Sequence, residues 1–210
     1  IQILGNVLDL GVPSDGTVTN AKLTSGSFSN ITGTGTLTGF TSTGIDDNAS
    51  ANSITIDSAG HVTKPLQPAV HAVPNAAQND MATGIVTIVL GAEVYDTNSD
   101  FNVSNSTFTA PVTGKYLVAC NVDLSDIDTA TQWLYGNLLV SSNRNYYMNE
   151  VDPRKDGSAD YSKSFNGTAI VDMDANDTLL LKIRSSAHGA AQMNVVYGGG
   201  ETWLTISLLQ

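Results

Sequence analysis

The stretch FTAPVTGKYLVACNV, residues 108–122, decides how the rest of the sequence is interpreted. Its PVTG segment, residues 111–114, contains the proline and glycine of a tight turn. Residues 115–122 are rich in β-branched and aromatic side chains, which favours a strand, and Cys120 shares one face of that strand with Tyr116 and Val118. We therefore predict a turn and then a strand in which Cys120 is a small buried hydrophobic residue rather than a nucleophile.

Further strand patterns lie on both sides of this stretch, separated by turns rich in Gly, Pro, Asn and Asp. The predicted strands are residues 53–57, 85–90, 107–109, 115–122, 133–140, 168–171, 178–183 and 203–209. No segment has a capped helical stripe longer than about ten residues. Many short strands predict an all-β antiparallel sandwich or barrel. The expected core includes Phe108, Tyr116, Val118, Cys120, Leu181 and Ile206.

The composition changes near Thr63. Residues 1–62 are mostly Gly, Ser, Thr, Asn and small aliphatics, whereas both tryptophans and all seven tyrosines lie beyond them. Such a segment cannot bury enough apolar surface to offset about 1–2 kcal/mol of backbone entropy per residue. We predict two parts. Residues 1–63 are a Gly/Ser/Thr-rich β shaft that gains order by winding with copies of itself, or a flexible linker, and residues 64–210 are a compact head.

The charge of the chain excludes two classes of partner. Its formal net charge is −11 and its pI is near 4.3, so its surface repels phosphate backbones and anionic lipids. The sequence has no apolar run of about 18 residues. We therefore expect no nucleic-acid partner and no membrane insertion.

The central stretch also carries a family resemblance. Residues 108–118 resemble the central strand entry of the C1q/TNF-like jelly roll, where Phe and a Pro-x-x-Gly turn precede a strand that begins with Tyr. Residues 67–72, 167–181 and 202–209 are similar to the first strand, a later hairpin and the final strand of that family, in the family's order, although Val70 stands where the family usually has Phe. The resemblance covers residues 64–210 and implies a ten-stranded antiparallel sandwich that forms a homotrimer.

A second resemblance concerns the first part of the chain. Residues 15–23 and 54–62 are similar to segments common in tail-fibre and other virion-fibre proteins of bacteriophages, some of which end in a head of this kind. This implies a virion location, in a tail fibre or surface spike. Other virion proteins would contact the N-terminal side, and the head would face outward.

The sequence offers little support for catalysis. It has no nucleophile elbow, no phosphate-binding loop and no metal-spaced histidine pair, since the three histidines, at positions 61, 71 and 188, lie far apart. A single cysteine excludes an intramolecular disulfide and a cysteine-rich metal site. We predict a protein that is not an enzyme and has no cofactor, apart from one calcium candidate.

Asp123, Asp126 and Asp128 could supply oxygen ligands to calcium in a loop after the central strand, although solvated loop acids are the commoner explanation.

Residues 146–161 are the best candidate for a binding site, because aromatic rings and both signs of charge surround one predicted loop. Carbohydrate sites combine rings that stack on sugars with charged groups that bond hydroxyls. The predicted binding residues are Tyr147, Asp152, Arg154, Lys155, Asp156, Asp160 and Tyr161, joined by His188 from the loop of residues 188–194. In the alternative interpretation, Tyr146, Tyr147 and Tyr161 are strand residues at a trimer interface, and the charges only keep this end soluble.

These patterns predict a trimeric virion fibre or spike protein whose head attaches to a carbohydrate or protein receptor on the host surface. In the alternative, the chain has the same fold but binds no receptor. It is then a structural knob that closes the trimer, or a protein that decorates the particle.

Overall fold

The computed structural model of the chain describes residues 53–142, 144–155, 161–188, 193–198 and 200–209. Within these ranges the regular structure is β, except for one 3-10 turn at Pro153–Lys155. The strands are β1 Thr55–Ile56, β2 Val62–Thr63, β3 Ala69–Val73, β4 Gly84–Thr87, β5 Ala92–Asp96, β6 Phe101–Asn102, β7 Thr107–Thr109, β8 Gly114–Ile127, β9 Leu134–Ser141, β10 Asn145–Val151, β11 Tyr161–Met173, β12 Thr178–Ser185, β13 Asn194–Val195 and β14 Trp203–Leu208.

Two six-stranded antiparallel sheets form a sandwich. The first sheet has the order β11-β8-β14-β3-β5, and β13 also pairs with β8. The second sheet has the order β10-β9-β12-β7-β6, and β4 also pairs with β12. Among the described residues the sheets therefore contain twelve strands rather than the predicted ten. The difference arises because β13 and β14 occupy successive parts of one edge of β8, as β4 and β7 do along β12.

The predicted central strand is β8, which pairs with β11 along most of its length and with β14 on its other side. Alternate residues of β8 point into the sandwich, as the sequence predicts. The Tyr116 hydroxyl donates a 2.7 Å hydrogen bond to the Val112 carbonyl, and its ring lies edge-on to Phe108 at 5.5 Å. These contacts fix the PVTG turn against the start of the strand. All six residues expected in the core are buried, which confirms that prediction.

Cys120 lies in the core, where burial raises the pKa of its thiol to about 12. The Asn137 side-chain amide lies 3.6 Å from its sulfur and donates toward it. At neutral pH the thiol therefore stays protonated, as expected for a residue that packs rather than reacts.

The β1–β2 hairpin confirms the turn predicted after residues 53–57. Asp57 accepts hydrogen bonds from the Ala59 and His61 amides, and Gly60 has a φ of +87°, which a residue with a side chain rarely adopts. The rest of the predicted shaft, residues 1–52, lies outside the described residues. The boundary between shaft and head at residues 63–64 stays a prediction.

The sequence prediction missed strand β10 and began the strand at residues 168–171 too late, since residues 145–151 form β10 and Tyr161 begins β11. The polar residues of this segment obscured its strand pattern, but Tyr146, Met148 and Val151 pack against the core from β10. Those three apolar contacts hold the segment against β9 despite its exposed polar face.

The described part of the chain contains no helix that is long and apolar enough to cross a membrane.

Candidate functional site

The predicted binding residues occupy two separate places in the structure. Asp152, Arg154 and Lys155 lie together in the turn that follows β10, whereas the ring of Tyr147 contacts a different group of side chains on the second sheet. Tyr161 is the first residue of β11 and pairs with Ile127. The partly exposed His188 follows β12. Asp156, Asp160 and much of the predicted 188–194 loop lie outside the described residues.

The turn after β10 is held by a bidentate ion pair. Arg154 donates from Nε to Asp152 Oδ1 at 2.8 Å and from its terminal nitrogen to Oδ2 at 2.9 Å, while Lys155 Nζ lies 3.7 Å from Oδ2. Hydrogen bonds from Arg154 lower the pKa of Asp152, and the same pairing raises the pKa of Arg154. Because each partner occupies the other's bonding groups, this turn has less to offer a ligand than the sequence suggested.

The calcium candidates do not form a loop. Asp123 and Asp126 lie within β8, which continues to Ile127, and Asp128 follows it. Asp123 accepts a hydrogen bond from the Ser164 hydroxyl, Asp126 accepts one from the Asn194 amide, and Asp128 accepts one from the Ala130 backbone. In the ranges that the structure describes, no three His, Cys, Asp or Glu side chains are grouped to hold a metal ion.

Tyr147 belongs to an aromatic-arginine cluster, which we define as Trp133, Tyr135, Tyr147 and Arg184. The Tyr135 ring lies 5.1 Å from that of Tyr147 and 6.0 Å from that of Trp133, with interplanar angles of 65° and 59°. The Arg184 guanidinium carbon lies 5.2 Å from the Trp133 ring centre and 5.6 Å from that of Tyr147. The guanidinium therefore lies between two aromatic rings, in the geometry of a cation–π contact.

Strand register places this cluster on the outer face of the second sheet. Tyr135 on β9 pairs with Glu150 on β10 and with Arg184 on β12, so these three residues form one row across the sheet. Their neighbours Leu134 and Ile183 are buried in the core. Because successive residues of a strand point to opposite faces, Tyr135 and Arg184 point outward, and Tyr147 remains 44% exposed.

A β-bulge in β9, next to this row, determines which residue of β12 lies opposite Tyr135. Gly136 and Asn137 of β9 lie opposite one residue of β12, Ile183, so the register shifts between Lys182 and Arg184. On the other side of β9, Asn149 adopts a φ of +53°. The Asn149 side-chain amide donates to the Asn137 side-chain oxygen at 2.8 Å, which ties the two strands together at the bulge.

Glu150 connects the cluster to a small polar pocket. A hydrogen bond with Glu150 is the largest of the effects that raise the pKa of Tyr135. Glu150 also lines a pocket of about 270 Å³ between β10 and β11, together with Asn149, Val151, Lys163, Ser164, Phe165 and Asn166. This surface thus brings together exposed rings, a guanidinium, a carboxylate and amides. Such a combination is suited to binding a polyhydroxylated molecule.

The sequence interpretation found only Tyr147 among the four residues of the cluster. Trp133 and Tyr135 lie two residues apart at the start of a predicted strand, a spacing that places both rings on one face. That spacing was the sequence signal from which the paired rings could have been predicted. No such signal exists for Arg184, because its position beside the rings depends on the pairing of β12 with β9.

The outer face of the first sheet carries a second set of exposed apolar groups. Leu117 and Ile170 pair directly across β8 and β11 and are 38% and 57% exposed. At the other end of the sheet, the His71 ring lies between Tyr95 and Trp203, at 5.8 and 6.0 Å, and His71 Nδ1 bonds the Thr205 hydroxyl at 2.6 Å. Partial burial lowers the pKa of His71, so at neutral pH its ring adds no charge to this face.

Solved structures share this architecture at low sequence identity. The globular domain of zebrafish complement 1qA protein is 15% identical, with a TM-score of 0.50 over 69% of this chain and 98% of that domain. The fold is a C1q/TNF-like jelly roll. Murine APRIL is 16% identical with a TM-score of 0.48, over 68% of this chain and 99% of APRIL. No protein-family model and no curated protein sequence matches the chain.

Proposed function

We propose that this chain is a trimeric fibre or spike protein of a bacteriophage virion whose jelly-roll head attaches to a carbohydrate on the host surface. The observation that carries the binding proposal is the aromatic-arginine cluster. Its rings offer apolar faces to the C–H groups of a sugar, and Arg184 and Glu150 offer a donor and an acceptor for its polar groups. The virion part of the proposal is supported by the fibre-like segments at residues 15–23 and 54–62.

Two observations support assembly as a homotrimer. Heads of the C1q/TNF-like type are typically trimers, and the outer face of the first sheet leaves Leu117 and Ile170 uncovered in a single chain. That face is separate from the cluster, which lies on the second sheet. Assembly through the first sheet would therefore leave one cluster per chain open to solvent.

Light scattering on the purified chain should report about three times its mass of 22.0 kDa. The physical reason is burial of the apolar face of the first sheet, whose removal from water contributes about 25 cal/mol per Å². A monomer at micromolar concentration would contradict the assembly proposal.

Replacing Tyr147 with Ala should leave the trimer folded but greatly weaken its binding to cells. The loss at each site is about 1 kcal/mol. When three sites bind together, their losses of free energy add to about 3 kcal/mol, which corresponds to roughly a hundredfold weaker binding. Labelled trimer would be measured by flow cytometry on a panel of bacterial cells, before and after periodate oxidation of their surface glycans.

The matched control is Tyr197→Ala, which removes a 53% exposed tyrosine that is not part of the cluster. Because Tyr197 lines a pocket with His71 on the first sheet, light scattering must first show that this variant assembles as the wild type does. We expect this variant to bind as the wild type does, and periodate treatment to abolish binding by both. Binding that resists periodate would indicate a protein receptor. Failure of the folded wild-type trimer to bind any cell of the panel would favour the alternative, a structural knob or decorating protein.

A further inference from the structure

We propose that the carbohydrate bound by the aromatic-arginine cluster is acidic and that its carboxylate pairs with Arg184. This inference rests on the proposed function and names the class of sugar. It predicts that a uronic or other carboxylated saccharide binds better than the same saccharide without its charge.

The first argument is that the structure holds Arg184 in place without neutralising it. The ion pairs among the described residues join Asp57 to His61 and Asp152 to Arg154 and Lys155, and none includes Arg184. Its guanidinium is positioned instead by the Trp133 and Tyr147 rings and by one long hydrogen bond, 3.4 Å, to the Tyr147 hydroxyl. Ring contacts fix the plane of a guanidinium and leave most of its N–H donors available.

The second argument is the contrast with Arg154. Both arginines are surface residues of the same head, but the Nε and terminal nitrogen of Arg154 are already bonded to the two oxygens of Asp152. An arginine and a carboxylate that lie side by side frequently form such a bidentate pair. At Arg184 the partner is missing among the described side chains, although acidic residues outnumber basic ones in the chain by 20 to 9.

The third argument is the polarity of the row that crosses the cluster. Glu150 lies on β10 and Arg184 on β12, with Tyr135 on β9 between them. Two strand spacings separate the acid from the arginine, about 10 Å, and Glu150 interacts with the Tyr135 hydroxyl. A saccharide that lies along this row would place its carboxylate at β12 and donate a hydroxyl proton toward β10. The reverse orientation would bring two carboxylates together.

Among anionic sugar groups, a carboxylate is expected to pair best with Arg184. The planar fork of a guanidinium can form a bidentate pair with a carboxylate or with a tetrahedral anion. A carboxylate accepts stronger hydrogen bonds than a sulfate ester, because it is the conjugate base of a weaker acid. A sulfated saccharide would supply the same charge with tetrahedral geometry, so it serves as a separate arm of the test.

The test uses the chain of 210 residues and a panel of oligosaccharides built on galacturonate, glucuronate and sialic acid, each as the free acid and as its methyl ester. Titration calorimetry at fixed ionic strength gives the dissociation constants. At least one free acid should bind about tenfold or more tightly than its ester, because a charge-assisted hydrogen bond is lost on esterification. Sulfated oligosaccharides of the same neutral sugars should bind more weakly than that acid.

Three variants then assign the preference to Arg184. Arg184→Gln should reduce the affinity for the free acid to that for the ester, and Arg184→Lys should retain only part of the preference because it lacks the planar fork. Lys182→Gln is the matched control. It removes the same charge two residues earlier on the same strand, and the preference for the acid should persist. Circular dichroism and light scattering confirm that each variant is folded and assembled.

The inference is overturned if no acid of the panel binds better than its ester, if a sulfated sugar binds better than every acid, or if the preference survives Arg184→Gln. These outcomes are distinct from failure of the proposed function. Should Tyr147→Ala abolish binding of acid and ester alike, with no difference between them, the carbohydrate site would stand without the acidic preference. If Tyr147→Ala leaves cell binding unchanged, the site itself is wrong.

Discussion

Val118→Asp is expected to leave the chain without a folded head. Val118 is completely buried in β8 and pairs with Ala169 on one side and Ile206 on the other. An aspartate there must either place a charge in an apolar interior or become protonated, at a cost of about 3–5 kcal/mol. Typical domains are stable by only about 5–15 kcal/mol, and the lost packing of the valine adds to this cost. Far-UV circular dichroism and thermal melts of the soluble fraction would measure the result.

Leu117→Asp is the control for this prediction. It introduces the same charge one residue earlier in β8, where the side chain points out of the sandwich. The head should therefore fold, with a cooperative melt. Folding rather than assembly is the readout, because Leu117 lies on the face proposed to contact neighbouring chains. Equal stability of the two variants would show that the inward and outward faces of β8 are wrongly assigned.

The sequence predicted β8 well because the signals that specify it are local. Pro111 and Gly114 define a turn within four residues, and the strand that follows alternates in a period of two. The Tyr116 hydroxyl bonds the Val112 carbonyl inside the same stretch. Neither the turn nor the alternation needs information from elsewhere in the chain, so this stretch identified both the fold class and several core residues.

The candidate site was harder to predict, because it depends on how distant strands align. Trp133 and Tyr135 are near Tyr147 and Arg184 only when β9 pairs with both β10 and β12. A shift of one residue would turn a strand's side chains to the opposite face. The sequence instead drew attention to residues 152–161, where aromatic and charged residues are neighbours in the chain. Arg154 and Asp152 there satisfy each other.

Strand β10 was absent from the predicted strands for a related reason. Its residues Asn145, Asn149 and Glu150 are polar, and Asn149 has a positive φ, a conformation for which asparagine is one of the better-suited residues. The apolar side chains that hold β10 in the sandwich are separated by these polar ones. Only the pairing with β9 shows that Tyr146 and Met148 share the inward face.

Gly136→Ala is the second change for which we expect a large effect. Gly136 lies in the bulge of β9, and a Cβ added there would overlap the ring of Phe165, which is buried on β11 of the other sheet. The nearest ring atom is Cγ, which rotation of the ring about the Cβ–Cγ bond does not move, so only a different rotamer about Cα–Cβ could relieve the overlap. The sheets must separate or Phe165 must leave the core, which costs about 3 kcal/mol or more. The melting temperature should fall by roughly 6–12 °C.

Gly167→Ala gives the matched control, since a Cβ at that position would come closer than 3.0 Å only to the terminal atoms of the flexible Met148 side chain and would meet Asn137 Cγ at 3.4 Å, an ordinary contact. We expect a melting temperature close to that of the wild type. Combining Gly136→Ala with Phe165→Leu should destabilise the head by less than the sum of the two single changes, because the smaller side chain relieves the overlap. Strict additivity would mean that Gly136 and Phe165 do not contact each other. If the two changes are coupled, Gly136 allows Phe165 of the facing sheet to pack against β9 at the bulge. The same bulge aligns Tyr135 with Arg184. Packing in the core thereby determines the geometry of the proposed binding surface.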